Sequence, residues 1–302
     1  MNKKRFSVNL IELNLAILFI STSGVLGRYI SLPIPITIGS RALLAGIILY
    51  FFCKWKKFSF NIEVQDIRTI AISGLLLGLH WITYFYALRL SNVAIGMLSL
   101  FTYPAITAIL EPLILKTKIL KFHLLLSLLV LIGIYFLVPD FNIGSDNLKA
   151  VGFGVFSALC YSLRNIMMNQ KVNKYNGSVL MVYQLLVITV FLSPFFFILD
   201  NSNVIRYIPE TITLALLTTA LGHTLFLYSF RNFSTITASI ISCAQPVYGI
   251  IIGIIFLQEY PKLSTIIGGG IIILTVLAES IRIYNLNKKS NQLALKYEKT
   301  DE

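Results

Sequence analysis

Apolar runs of about 20 residues recur along almost the whole chain with hardly a charge between their ends, and this pattern limits what the chain can fold into. A run of that length, wound as a helix at about 1.5 Å per residue, matches the hydrocarbon thickness of a bilayer. Lipid offers no partner for a backbone amide, so each run has to satisfy its own hydrogen bonds as a helix. A soluble domain is excluded, because 13% charged residues in a 302-residue chain cannot cover an aqueous surface that usually draws on about 25%. The expected fold class is an all-α membrane protein.

The pattern predicts ten transmembrane helices, at residues 12–30, 34–53, 69–88, 92–115, 121–138, 149–169, 178–199, 211–230, 235–257 and 263–284. Glu12 in the first, and Arg164 with Asn165 in the sixth, are the charged and polar residues that interrupt the pattern most. With the N-terminus inside, eighteen Lys and Arg fall on the inner side and five on the outer, and Arg41 and Arg164 within spans complete the 25. Short cytoplasmic loops are the ones enriched in positive charge. Both termini are therefore expected in the cytoplasm, with the chain crossing the cytoplasmic (inner) membrane many times. Met1–Arg5 is basic and precedes an apolar stretch, but Glu12 and Asn14 interrupt it and no small-residue cleavage site follows, so a retained first helix is expected.

The net charge of +12 does not point to nucleic acid, because the basic residues lie between apolar runs instead of gathering on one face. Cys53, Cys160 and Cys243 form no C-x-x-C pair and are read as packing residues. Neither a metal site nor a cofactor is expected, and no G-x-x-x-x-G-K loop is present to bring in nucleotide.

The chain repeats itself at an offset of 142: Tyr86 answers Tyr228, Arg89 answers Arg231 and Pro104 answers Pro246. Five spans per half is an odd number, so the second half has to lie upside down relative to the first. The expected organisation is two inverted five-helix repeats, 1–139 and 148–284, followed by a polar cytoplasmic tail, 285–302. Many secondary transporters are built this way, with the solute site near the bilayer midplane between the halves.

Several residues in the spans carry chemistry. Pro104 and Pro246 each lie near the middle of a span, where a proline frees a carbonyl that only protein or cavity water can satisfy. They are candidate gating points. Ser99, Tyr103, Thr107 and Glu111 recur at every fourth position and form a polar stripe on the fourth span. Glu111 is read either as a gating or coupling residue or as an interfacial partner of Lys116 or Lys118. His80 and Trp81, with Tyr84 one turn on, lie halfway along the third span, and His223 answers Trp81 in the repeat. A histidine titrates near neutral pH and an aromatic face can stack on a solute, although a histidine that ties helices together is the plainer reading. Arg41, seven residues inside the second span, needs an anion or carbonyls. It is expected to snorkel toward the outer mouth or to meet a substrate carboxylate, and Gln184 lies near its repeat counterpart. Gln245 beside Pro246 is a cavity candidate, and Glu279 is expected at the lipid interface beside Arg282. Gly268–Gly270 offer a smooth face to another helix or to a second protomer, so a homodimer is among the expectations.

With ten short spans in two halves, and with "ALRLSNVAIGMLSLFTYP" followed later by "FSTITASIISCAQPVYGIIIGIIFLQE", the sequence resembles the EamA-domain members of the drug/metabolite transporter superfamily over about residues 12–284. The mid-span prolines and Leu257-Gln258-Glu259 at the end of the ninth span carry the resemblance. The chain departs from the family pattern where Gln258 replaces a family-typical glycine, and where Leu115-Lys116-Thr117 ends the fourth span without a glutamate. The resemblance implies a central cavity formed by spans one to four and six to nine, spans five and ten at the periphery, and export of amino acids or related metabolites.

The expected function is transport of a small polar metabolite by alternating access. Arg41, His80, Trp81, Tyr84, Tyr103, His223 and Gln245 are the expected substrate contacts; Pro104, Glu111 and Pro246 are the gating set. A membrane-embedded enzyme would need paired catalytic groups at one depth, and the acidic residues are scattered. A non-transporting scaffold would have no use for polar groups at mid-membrane.

Overall fold

The computed structural model describes residues 3–91, 93–137, 146–258, 260 and 263–298, and all regular structure among them is helical. The first half contains α1 (Lys3–Tyr29), α2 (Ile34–Trp55), α3 (Val64–Leu90), α4 (Val93–Leu100), α5 (Tyr103–Leu115) and α6 (Lys121–Leu137). The second half contains α7 (Asp146–Asn169), α8 (Gly177–Leu192), the short α9 (Phe195–Ile198), α10 (Ile208–Thr213), a π-wound stretch (Leu214–His223), α11 (Thr224–Ser229), α12 (Thr235–Ile241), α13 (Gln245–Leu257) and α14 (Leu263–Glu298). Among the described residues, eight helical segments are long and apolar enough to cross a membrane, and Tyr103–Leu115 and Lys121–Gly133 are shorter apolar helices. Glu259 and the expected linker between the halves as far as residue 145 lie outside the described residues, and α7 already begins at Asp146. α14 runs on past its apolar part through the expected tail as far as Glu298.

Helix starts follow from the prolines. Pro35, Pro104, Pro209 and Pro246 each occupy the first turn of their helix, where a missing N–H costs nothing and the fixed φ suits the helix. This corrects the expected picture of the fourth and ninth spans as continuous helices kinked by a mid-span proline. Each is instead two helices: α4 stops at Leu100 and α5 begins at Tyr103, while α12 passes through a 3-10 turn at Ser242–Ala244 into α13. Ser162 of α7 reaches the start of α5, donating its hydroxyl to the carbonyl of Tyr103 at 3.1 Å.

The repeat is visible in the backbone. Val93 and Thr235, Tyr103 and Gln245, Lys121 and Leu263 begin corresponding helices at the sequence offset of 142. α5 and α13 stop at Lys116 and Gln258, both left-handed at φ 53° and 57°. Arg89 donates to the carbonyl of Ile30 at 2.7 Å, and Arg231, its counterpart, donates to the carbonyl of Val172, the counterpart of Ile30, at 2.9 Å.

The halves interleave. α3 packs along α7 and α8; α2 packs on α8 and the π-wound stretch; α1 packs on the π-wound stretch and α13; α6 lies along α14. The α3–α7 pair and the pairing of α1 with the π-wound stretch are one contact seen from each half. One buried cluster runs through both halves and includes Ile17, Trp81, Tyr103, Tyr161, Leu185 and Phe226, while large apolar side chains such as Phe51, Phe197 and Leu274 face outward. Glycines set the closest approaches: a Cβ on Gly222 would lie 3.1 Å from the backbone nitrogen of Ile20, and one on Gly74 would lie 3.1 Å from the backbone of Gln184.

Candidate functional site

Where α1, α2, α3, α7, the π-wound stretch and the two broken spans meet, twelve residues enclose a cavity of about 10 Å³, room for one water. All seven residues singled out as substrate contacts line it: Arg41, His80, Trp81, Tyr84, Tyr103, His223 and Gln245. Ile20, Ser23, Leu100, Phe101 and Tyr161 complete the wall.

Trp81 and His223, equivalent in the repeat, face each other, and the indole N–H donates to His223 Nε2 at 3.3 Å. Neutral His223 then carries its proton on Nδ1, and this buried nitrogen has no partner. On α3 one residue earlier, His80 Nδ1 lies 2.7 Å from the Ser157 hydroxyl, which itself donates to the carbonyl of His80 at 2.8 Å. The hydroxyl has one hydrogen, so the shared proton between the side chains belongs to His80 Nδ1.

Arg41 requires a correction. It does not snorkel toward an outer mouth: its side chain is 1% exposed, its guanidinium lies 4.0 Å from the centre of the Trp81 ring, and Nε donates to Thr219 at 2.6 Å. Nη2 is buried without a partner. Thr219 reaches Arg41 from the π-wound stretch, a winding that recurs at functional sites and that here contains Thr218 and Thr219, both bonding back to the carbonyl of Leu214. Gln184, near the repeat counterpart of Arg41, meets the other buried arginine. Its Oε1 receives Nε and Nη2 of Arg164 at 3.0 and 2.7 Å, and Asn165 Oδ1 receives Nη1 at 3.0 Å. No acidic side chain pairs with Arg41 or Arg164 among the described residues.

Tyr161 was missed from sequence. It joins the rings of the site, stacking on His80 at 4.3 Å and meeting Tyr103 edge-on at 5.1 Å and His223 edge-on at 6.2 Å. The available signal was the spacing of Ser157, Tyr161 and Arg164, at i, i+4 and i+7 on one face of α7. Tyr103 also joins the two breaks, because its hydroxyl hydrogen-bonds with that of Ser242 in the 3-10 turn of the second half.

Pro104 lies next to Tyr103 and Pro246 next to Gln245, each one residue beyond a cavity-lining side chain. Glu111 lies outside the cavity and is buried, so the expected pairing with Lys116 or Lys118 at the interface is corrected. Its carboxylate accepts the backbone N–H groups of Thr235 and Ile236 at 2.9 and 2.8 Å, capping the start of α12. Glu279 is likewise buried instead of facing lipid: it accepts from Arg282, as expected, and from Thr237, with His123 at 3.4 Å. A larger cavity of about 380 Å³ lies between α2, α8, the π-wound stretch and α11. Its lining is apolar apart from Ser178, Thr224 and Tyr228, so it has no charge with which to orient a polar solute.

A solved crystal structure superposes with a TM-score of 0.77 at 14% identity, over 93% of this chain and 99% of that one, which shows a shared fold. A protein of Clostridium kluyveri described as an uncharacterized transporter is 25% identical over 195 residues. The match spans 60% of this chain and about 60% of the length of that curated relative. The EamA-like transporter family matches residues 10–138 and again residues 148–279. Matched twice over nearly its whole length, with apolar helices that suit a bilayer, the chain belongs to the EamA-like transporter family.

Proposed function

We propose that this membrane transporter is a secondary carrier of a small polar metabolite, an amino acid or a related compound, moved outward across the cytoplasmic membrane by alternating access. The observation that carries the reading is the convergence of Arg41, His80, Trp81, Tyr84, Tyr103, His223 and Gln245, from both halves of the chain, on one enclosed cavity beside two helix breaks. Rings would stack on the apolar part of the solute, while amide, imidazole and guanidinium groups would hold its polar end.

A cavity with room for one water admits no metabolite, so transport requires a second conformation in which it widens. The breaks at Pro104 and Pro246 are where the path would open, and Glu111, which holds the start of α12, would couple the two broken spans. In this scheme α4–α5 and α6 supply the fourth and fifth of ten spans. Residues 1–139 and 148–284 are two inverted repeats, and both termini and the tail 285–302 face the cytoplasm.

Proteoliposomes loaded with a panel of amino acids and organic acids, with and without a pH gradient, test the function. Trp81→Ala and His223→Ala should each weaken solute binding about tenfold or more, and unchanged affinity for every carried solute would move the site elsewhere. Cysteine labelling at Asn61 and Asn142 tests the orientation, which fails if Asn61 is reached from outside.

A further inference from the structure

The cavity has a sign. Of its twelve lining residues, Arg41 alone carries a fixed charge, and none is acidic. The buried nitrogens left without a partner there, Arg41 Nη2 and His223 Nδ1, are both donors by their chemistry, while Tyr84 adds a hydroxyl able to serve either way. The nearest acid of the broken spans, Glu111, is held by the amides of Thr235 and Ile236. Arg164, also fully buried, adds a second positive charge met only by neutral acceptors, Gln184, Asn165 and the sulfur of Met181.

A buried charge without a counter-ion is costly, and unmet buried donors add to that cost. Both deficits are removed by one ligand: a carboxylate that takes Nη2 of Arg41 on one oxygen and the Nδ1 proton of His223 on the other. An ammonium group finds the opposite environment. No carboxylate lines the wall to receive it, and one face of Trp81, the ring best able to hold a cation, is already covered by the Arg41 guanidinium at 4.0 Å.

We infer that the site recognises organic acids through the carboxylate and that the amino group of an amino acid contributes nothing to binding. This rests on the transport reading above but narrows it, since a zwitterion becomes only one member of a class that includes its deaminated acid and excludes its decarboxylated amine.

Trp81 is itself the reporter. The chain has two tryptophans, so a Trp55→Phe background leaves Trp81 as the sole indole emitter, beside Arg41 and His223. Three matched sets are titrated against the full chain in nanodiscs: glycine, acetate and methylamine; leucine, 4-methylpentanoate and 3-methylbutylamine; phenylalanine, 3-phenylpropionate and phenylethylamine. In at least one set the acid should shift Trp81 emission with an affinity within about threefold of the amino acid, while the amine stays silent, and Arg41→Gln should abolish the response. An amine that binds as tightly as its acid, an amino acid more than about tenfold tighter than its deaminated acid, or silence from all three acids would overturn the inference. The contrast is read within the parent protein and stands even if Arg41→Gln fails to fold. Transport of amines in proteoliposomes would sink the acid selectivity and leave the carrier reading intact, whereas acid binding at Trp81 without movement of any solute would do the reverse.

Discussion

The third span of the first half and its counterpart in the second start from related sequences and end as different objects. α3 is one uninterrupted helix of 27 residues, whereas Ile205–Ser229 passes through 3-10, α, π and α winding over a similar length. The two still place Trp81 and His223 face to face. The π-wound side supplies the hydroxyl that holds Arg41, and the regular side supplies the ring beneath it. Duplication therefore preserved the backbone frame, with matched breaks, matched left-handed stops and matched arginine clamps, while the chemistry of the two sides diverged. The same asymmetry recurs below the cavity, where Glu111 of the first half caps α12 and its counterpart Gly253 holds nothing.

Breaking that last pair should give the largest effect. Glu111→Ala leaves the amides of Thr235 and Ile236 buried without an acceptor and should destabilise the protein by about 3 kcal/mol, measured by thermal unfolding in detergent, and abolish solute uptake. Glu111→Gln, which keeps an acceptor oxygen, should fall between the two. Gly253→Ala at the equivalent site meets no atom within 4 Å and should change stability by less than about 1 kcal/mol. Equal losses at both sites would mean that the halves are not specialised in this way.

The tight seam between α1 and the π-wound stretch comes next. An added methyl at Gly222 would lie 2.7 Å from Cγ1 of Ile20, so Gly222→Ala should cost about 1–3 kcal/mol and weaken solute binding as Thr219 and His223 shift.

The matched stops should respond alike and in the opposite direction. Lys116 and Gln258 are left-handed residues with a Cβ, so Lys116→Gly and Gln258→Gly should each stabilise by about 1 kcal/mol, additively because they belong to separate helices.

The smallest expected effect lies at Lys174 and Glu63, the exposed part of a latch around buried Asp66 that only one side of the repeat possesses. Lys174 bridges Glu63 and Asp66, and Lys171 joins Asp66, whereas the counterpart positions of Glu63, Asp66 and Lys174 are Ile205, Ile208 and Leu32. The Lys174 hydrogen bond holds the Glu63 carboxyl below its usual 4.5, so this contribution is full above pH 4.5 and fades as pH falls through the lowered value. Asp66 and then Glu63 hold the Lys174 ammonium above its usual 10.5, so its share is full below pH 10.5 and fades as pH rises through the raised value. Unfolding temperature against pH should therefore droop at both ends, and Lys174→Met should reduce the droop, leaving the part of the acid limb that Lys171 and Asp66 supply. High salt should reduce it in the parent.

Much of this was legible from residue spacing. The apolar runs fixed helices, because a backbone in lipid has no other way to close its hydrogen bonds. The offset of 142 pointed to Pro104 and Pro246 together, and depth along the spans brought Trp81, His223 and Gln245 into one candidate set. Arg41 is recognisable as costly, but whether it snorkels outward or turns into the site is not legible. The residues that relieve it, Trp81 and Thr219, are 40 and 178 positions away, and nothing local points to them. The interfacial pairing expected as one alternative for Glu111 fails for the same reason, since the amides it caps lie 124 and 125 positions further along the chain. Tyr161 passed unnoticed because an aromatic residue on an apolar helix looks like any other packing residue until its neighbours are known.

The sequence alone, then, determined the solvent, the helical class, the duplication and the family, all of which depend on composition and periodicity accumulated over many residues. The tertiary structure alone decided which polar groups satisfy one another and which remain open. In lipid a buried donor is paired or orphaned according to contacts between helices far apart in sequence, and the difference between Arg164, held by Gln184, and Arg41, whose Nη2 is buried without a partner, exists only once those helices are packed.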